Sequence, residues 1–163
     1  MPLRHVLCYD AKKRRILRFC DALSAMIGIL IIAHGTFGES LIHCASHVLN
    51  KRPPRVRQLG VTAHDDPLLL LPHARALVKD LDDGDGVLIL SDIYGATPCN
   101  IACKLMIPGK VEGLAGVSLP MLIRALTYRD RDMATLIAKA VSGGCEGVVR
   151  IPTLSLHNAA TGS

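Results

Sequence analysis

The chain has 163 residues, half of them hydrophobic, with only 3% aromatic residues and no tryptophan. This length suits one domain with a sizeable core, and an apolar content rich in Val, Ile, Leu and Ala favours a buried parallel sheet covered by helices. The net charge of +5 is concentrated in residues 1–25, where six lysines and arginines face two aspartates. With few aromatic residues to stack on bases, this charge is weak support for nucleic-acid binding, and we expect no nucleic-acid partner.

The cysteine pattern and the hydropathy predict a cytoplasmic protein. Six cysteines occur without a CxxC motif, which is typical of reduced thiols in an apolar domain. No apolar run approaches the roughly 18–20 residues that a membrane span requires. The basic segment near the N-terminus is not followed by the apolar stretch of a signal peptide.

The first 25 residues show no clear period, and Met26 stands directly before the first apolar strand. We therefore predict that residues 1–25 are a leader that is disordered or not native. The alternative is an amphipathic leader helix around residues 14–23. Residues 26–151 form the predicted domain, and the small, polar residues 152–163 are expected to be a flexible tail.

Apolar periodicity and turn residues predict alternating strands and helices along the domain. The predicted strands are residues 27–33, 56–62, 87–91, 111–117 and a short last strand at 148–151. The predicted helices are residues 37–49, 68–81, 99–106, 120–128 and 133–141, and "SGGCEG" at 142–147 is predicted to be a turn.

This alternation predicts an α/β fold with an open, doubly wound, mostly parallel sheet. In such sheets, ligands bind beyond the carboxyl ends of the strands, near the point where the strand order reverses. The residues at those ends are His34 after the first strand, Asp92 after the third and Ser118 after the fourth.

His34 is the strongest candidate for chemistry. It follows a buried strand, which would hold it rigidly at the ligand-binding edge, and Gly35 leaves room for a close approach. If Asp92 accepts one ring N–H, it fixes the tautomer and leaves the other nitrogen as a nucleophile. The alternative is that His34 only caps the following helix.

The loop "DIYGATPCN" adds small residues and hydrogen-bond donors. Gly95 and Ala96 are small, Thr97 carries a hydroxyl, and Pro98 suits a first helical turn. Such a loop suits an anion such as phosphate, although it is equally consistent with a simple capped turn. Neither GK[ST] nor GxGxxG is present, so a nucleotide site is disfavoured.

The remaining candidate sites are weaker. His43 and His47 are four residues apart on a predicted helix, but no third ligand is near in sequence, so we expect no metal. A serine hydrolase is disfavoured because no GxSxG elbow occurs. We expect no cofactor of any kind.

Three segments, "IGILIIAHGTFGESL", "GVLILSDIYGATPCNIA" and "GLAGVSLPMLIRAL", resemble the mannose-family EIIA proteins of the bacterial phosphoenolpyruvate-dependent sugar phosphotransferase system (PTS). The resemblance covers about residues 26–151. It implies a phosphotransferase in which His34 accepts the phosphoryl group and Asp92 orients the ring of His34. Thr97 matches a hydroxyl that holds the phosphoryl group, and the predicted phosphoryl-binding set is completed by Gly35, Thr36, Gly95 and Ala96.

The resemblance also implies partners. The donor would be the small protein HPr, and the acceptor an EIIB-type component on a separate chain, so that a membrane is reached only through a transporter complex. The family is usually dimeric, and we expect a homodimer in which the last short strand is antiparallel and exchanged. Ser118 departs from the family, which commonly has Asn there, and this leaves the sugar undefined.

Two related functions remain open. The protein could be a regulatory PTS protein whose phosphorylation state is read by a partner rather than used for transport. It could also be the phosphoryl-donor subunit of a dihydroxyacetone kinase, which carries a His at the end of the first strand, although "SDIYGATP" favours EIIA.

Overall fold

The computed structural model describes residues 26–152, which form an alternating α/β fold. The elements in chain order are β1 (Gly28–His34), α1 (Phe37–Val48), β2 (Val56–Val61), α2 (Pro67–Leu81), β3 (Val87–Ser91), α3 (Thr97–Cys103), β4 (Val111–Ala115), α4 (Leu119–Tyr128) and α5 (Met133–Glu146). The predictions of a leader at residues 1–25 and of a loose tail lie outside the described residues, except for Pro152.

The four strands form one open sheet in the order β2-β1-β3-β4, and all pairs are parallel. The predicted open parallel α/β sheet is therefore confirmed. The chain adds β2 on one side of β1 and then continues with β3 and β4 on the other side. The strand order thus reverses between β1 and β3, so their carboxyl ends flank the crevice where open α/β sheets bind ligands.

Each face of the sheet is covered by helices, as the two-sided apolar strands require. Alternate residues of β1 point to opposite faces. Ile29 and Ile31 pack with α1, α4 and α5, whereas Leu30 and Ile32 pack with α2 and α3. These four side chains have no exposed surface, so β1 is fixed on both faces and holds its last residue, His34, in a defined position.

One predicted turn is wrong, because α5 continues through residues 142–146 to Glu146. The glycines there serve close helix packing rather than a turn. A Cβ at Gly143 would lie 2.6 Å from the Cβ of Arg124 and 3.0 Å from the carbonyl oxygen of Pro120, both on α4. Only glycine allows α5 to approach α4 this closely, which outweighs the low helix propensity of glycine.

The strand predicted at residues 148–151 is not formed in the single chain. These residues follow the end of α5, have no assigned strand structure, and expose 88% of Val148, 75% of Val149 and 87% of Ile151. A strand needs a neighbour to satisfy its backbone groups, and no described segment of the same chain pairs with this one. In residues 26–152, no helix is long and apolar enough to cross a membrane.

Candidate functional site

His34 and Asp92 are in direct contact at the crevice between β1 and β3. His34 is the last residue of β1, and Asp92 immediately follows β3. Their side chains are joined by a hydrogen bond of 2.7 Å between Nδ1 of His34 and Oδ2 of Asp92. The side chain of His34 is 49% exposed and that of Asp92 only 13% exposed. The pair therefore consists of an accessible imidazole held by a largely buried carboxylate.

Two backbone amides hold Asp92 in place. Oδ2 of Asp92 also accepts the amide N–H of His34 at 2.9 Å, and Oδ1 accepts the amide N–H of Ile93 at 2.8 Å. Partial burial by itself would raise the pKa of Asp92, but the hydrogen bonds from His34 and Ile93 outweigh it and hold the pKa below its ordinary value. Asp92 is therefore an ionised acceptor at neutral pH.

This geometry selects one form of the neutral imidazole. An ionised carboxylate can only accept, so Nδ1 of His34 must carry the proton that it shares with Asp92. The other ring nitrogen, Nε2, then holds a lone pair, and within residues 26–152 it has no hydrogen-bond partner. A buried acceptor on one nitrogen and an exposed lone pair on the other is the arrangement expected of a positioned nucleophile.

Gly35 and Thr36 form the turn that leads from His34 into α1. Gly35 has φ +53°, a left-handed conformation that favours glycine, and no atom lies within 4 Å of where its Cβ would be. The space beside His34 is therefore open on this side. Thr36 occupies the cap position of α1 without making a side-chain cap, which leaves its exposed hydroxyl available.

Gly95, Ala96 and Thr97 lie in the turn that connects Asp92 to α3, at the same edge of the sheet. Gly95 has φ +81° and open space around its missing side chain, and Thr97 is the first residue of α3. Within the described part of the chain the Thr97 hydroxyl has no hydrogen-bond partner. The Gly35–Thr36 turn and the Gly95–Thr97 turn are not hydrogen-bonded to each other. Each therefore flanks the His34–Asp92 pair on its own.

The third predicted segment is attached to the same edge through its backbone. After β4, Gly116 donates to the carbonyl oxygen of Asp92 at 3.1 Å, and Val117 donates to that of Ser91 at 3.0 Å. Ser118 then caps α4, its hydroxyl accepting the amide N–H of Met121 at 3.4 Å. Serine and asparagine are both good N-caps, so Ser118 preserves this local structure although it departs from the family.

The sequence pattern predicted no role for three exposed apolar side chains near the site. Phe37 at the start of α1 is 41% exposed, and Ile93 and Tyr94, directly after Asp92, are 59% and 85% exposed. We call these three residues the apolar rim. The signal that could have revealed them was the presence of an isoleucine and a tyrosine in a loop otherwise made of small and polar residues.

No group of three or more His, Cys, Asp or Glu side chains in residues 26–152 is arranged to hold a metal ion. His43 and His47 are both exposed on α1.

Comparison with known proteins identifies relatives of this chain. The family model EIIA-man, described as "PTS system fructose IIA component", matches residues 28–141. The mannose-specific EIIAB component of Escherichia coli K12 is 32% identical over 137 residues, which is 82% of this chain. The fructose-specific EIIA component of Bacillus subtilis is 28% identical over 64% of this chain and 72% of its own length. The chain spans only 42% of the length of the E. coli relative.

Solved structures give the same result for the fold. An EIIA component of Streptococcus agalactiae is 25% identical, with a TM-score of 0.68 over 77% of this chain and 97% of its own. A mannose/sorbose-specific IIA subunit of Enterococcus faecalis is 23% identical, with a TM-score of 0.72 over 81% of this chain and 99% of its own.

The contacts of Asp92 predict a pH-dependent contribution to stability. In Asp92→Asn, a single amide oxygen replaces two carboxylate oxygens, so at least one N–H of His34 or Ile93 would face an NH₂ group. We expect the variant to lower the free energy of unfolding by about 1–3 kcal/mol at pH 7. Because folding lowers the pKa of Asp92, its stabilisation is present above the ordinary carboxyl pKa of about 3.9 and is lost as the pH falls through the folded value.

Denaturant unfolding of both proteins between pH 7 and pH 3 measures this difference, which should shrink as the pH falls. The exposed Asp130 provides the matched control, since its only ion pair within residues 26–152 is a long contact of 3.8 Å to Arg131. Asp130→Asn should change stability little at any pH. A constant Asp92→Asn effect from pH 7 to pH 3 would mean that the charge of Asp92 has no part in these contacts.

Proposed function

Because the chain belongs to the mannose family of PTS EIIA components, we propose that it is a phosphohistidine carrier whose accepting residue is His34. In this role it takes a phosphoryl group from phospho-HPr and passes it to an EIIB-type acceptor during sugar uptake. The observation that carries the proposal is the 2.7 Å hydrogen bond that ties Nδ1 of the exposed His34 to the largely buried Asp92.

The chemistry requires little beyond positioning. The lone pair on Nε2 of His34 attacks the phosphorus of the donor's phosphohistidine. A new N–P bond forms as the old one breaks, and the donor imidazole leaves with the electron pair. Such a transfer is governed by in-line approach and charge stabilisation. Asp92 favours it by holding the ring and by partly neutralising the positive charge that develops on the imidazole.

The flanking turns are suited to the transferred group. Three negatively charged oxygens need donors, and the exposed hydroxyls of Thr36 and Thr97 are candidates. Gly35, Gly95 and Ala96 add no bulk at the site; Cβ atoms built at the two glycines would meet no atom within 4 Å. We assign these five residues to phosphoryl binding, with the hydroxyl of Thr97 as the principal side-chain donor.

The apolar rim supports docking of another protein at this edge. A carrier must bring its histidine against the histidine or cysteine of each partner, so it needs a surface that binds protein around the reactive atom. Phe37 follows His34 by three residues, Ile93 and Tyr94 directly follow Asp92, and all three are exposed; aromatic side chains are enriched in interfaces. We propose that the rim contacts HPr and the EIIB-type acceptor in turn.

The regulatory alternative uses the same residues and differs only in the recipient. Ser118, where the family commonly has Asn, is as compatible with a regulatory role as with transport. Since Ser118 still caps α4, the substitution leaves the local loop structure intact and does not argue against transport. The dihydroxyacetone kinase subunit gains no support from the relatives named above, which are all PTS components.

We also propose a homodimer built on residues 148–151. This segment is apolar except for Arg150, is exposed, and has no strand partner among residues 26–152. Among the described residues, one side of β4 pairs with β3, and on the other side only Val111 is bonded, to Ile107, so the outer backbone groups beyond Val111 are available to another strand. Antiparallel pairing of this segment with β4 of a second copy would satisfy the backbone groups of both strands.

Phosphoryl transfer to His34 can be measured with purified enzyme I, HPr and labelled phosphoenolpyruvate. We expect His34→Ala to reduce acid-labile labelling to the level of a blank, whereas His47→Ala, at an exposed histidine on α1, should label normally. Asp92→Asn should slow labelling by about 10–100-fold, because misorientation of a nucleophile costs about that much. Normal labelling of His34→Ala would disprove the proposal.

Subsequent addition of an EIIB-type protein separates transport from regulation, since only a transport carrier should lose its label to it.

The dimer is tested by light scattering on the full chain and on a chain that ends at Gly147. The full chain should have twice the mass of one copy, and the shortened chain should be monomeric with an unchanged far-ultraviolet circular dichroism spectrum. A dimeric shortened chain, or a monomeric full chain at tens of micromolar, would contradict exchange of residues 148–151.

A further inference from the structure

A cavity lies at the opposite edge of the sheet from His34. It has a volume of about 360 Å³ and is lined by the second half of α2, the segment after α3 and the start of β4. All four strands are parallel, so the start of β4 at Val111 and the ends of β1 and β3 are on opposite edges. The volume falls within the range of about 300–1,000 Å³ typical of small-molecule sites.

The lining of this cavity has an excess of positive charge. Four cations, Arg75, Lys79, Lys104 and Lys110, face it together with one carboxylate, Asp82. Oδ2 of Asp82 pairs with Lys110 at 3.0 Å, and its Oδ1 accepts two backbone amides. In the described part of the chain, the other three cations have no carboxylate within ion-pair distance, so their charges are uncompensated.

The same cavity has an apolar wall. Leu105 and Val111 are 6% and 1% exposed and belong to the core cluster beneath α2 and α3, with Val78 and Met106 packed against it. A site with uncompensated cations on an apolar wall matches a ligand with an anionic group and an apolar body. A free inorganic anion would contact only the cations, and a neutral apolar molecule would contact only the apolar wall.

We propose that this cavity binds a small organic phosphate. A phosphate monoester carries close to two negative charges and three acceptor oxygens, which suits the guanidinium of Arg75 and the ammonium groups of Lys79 and Lys104 better than a single carboxylate would. Its organic part would lie on Leu105 and Met106. The site uses none of the residues assigned to phosphoryl transfer and is independent of that function.

The binding can be tested by titrating the ¹⁵N-labelled full chain with phenyl phosphate, followed by amide chemical shifts. We expect saturable shifts at Val78, Lys79 and Lys104–Ile107 with a dissociation constant of about 1 mM or below. Inorganic phosphate should bind at least about tenfold more weakly, because it lacks the apolar body, and benzyl alcohol should cause no saturable shift. Equal binding of inorganic phosphate, or shifts confined to residues around His34, would overturn the proposal.

Variants separate this site from a general attraction to positive charge. The double substitution Lys79→Gln and Lys104→Gln should weaken phenyl phosphate at least about tenfold, whereas Lys51→Gln, at an exposed lysine after α1, should leave the affinity unchanged. Thermal unfolding checks that each variant is folded. His34→Ala should bind phenyl phosphate normally, so loss of phosphoryl transfer and loss of this site are distinguishable. Unchanged affinity in the folded double variant would also reject the site.

Discussion

The hydrogen bond between Nδ1 of His34 and Oδ2 of Asp92 joins two positions that are 58 residues apart in sequence. It forms only because β1 and β3 are neighbours in the sheet and end at the same edge. The surrounding structure holds both residues in place: the buried side chains of β1 fix the backbone of His34, and the amides of His34 and Ile93 fix the carboxylate of Asp92. The result is an exposed nitrogen with a defined tautomer at the reversal point of the strand order.

The rest of the edge is consistent with a reaction between two proteins. The missing side chains of Gly35 and Gly95 leave open space, and Phe37, Ile93 and Tyr94, which lie close to His34 or Asp92 in the chain, are exposed. An enzyme for a small substrate would enclose its reactive group in a cavity. Here the imidazole of His34 is 49% exposed at the edge of the sheet, which agrees with membership of a family of phosphotransfer components.

Much of this arrangement could be predicted from sequence because it is encoded locally. The continuous apolar runs before His34 and Asp92 predict buried parallel strands, and strand ends in such sheets converge on one edge. The end of α5 could not be predicted in this way. Gly143 looked like a turn residue because its partner on α4, Arg124, is distant in sequence and the close helix contact appears only in three dimensions.

Long-range relations also explain the other differences. The segment at residues 148–151 has the composition of a strand, but strand formation depends on a neighbour, and no other segment of residues 26–152 supplies one. The basic cavity draws its cations from α2, from the end of α3 and from the loop before β4, and no local motif marks such a combination. Local pattern therefore located the His34–Asp92 pair, whereas surfaces built from several elements required the structure.

We propose that Asp92 reserves Nε2 of His34 for phosphoryl transfer. This proposal is tested by phosphorylating protein labelled with ¹⁵N-histidine through enzyme I and HPr and measuring the ³¹P–¹⁵N couplings of the product by NMR. We expect one phosphohistidine, with phosphorus bonded to Nε2 of His34 and a proton retained on Nδ1. Phosphorus bonded to Nδ1, or to a residue other than His34, would contradict it.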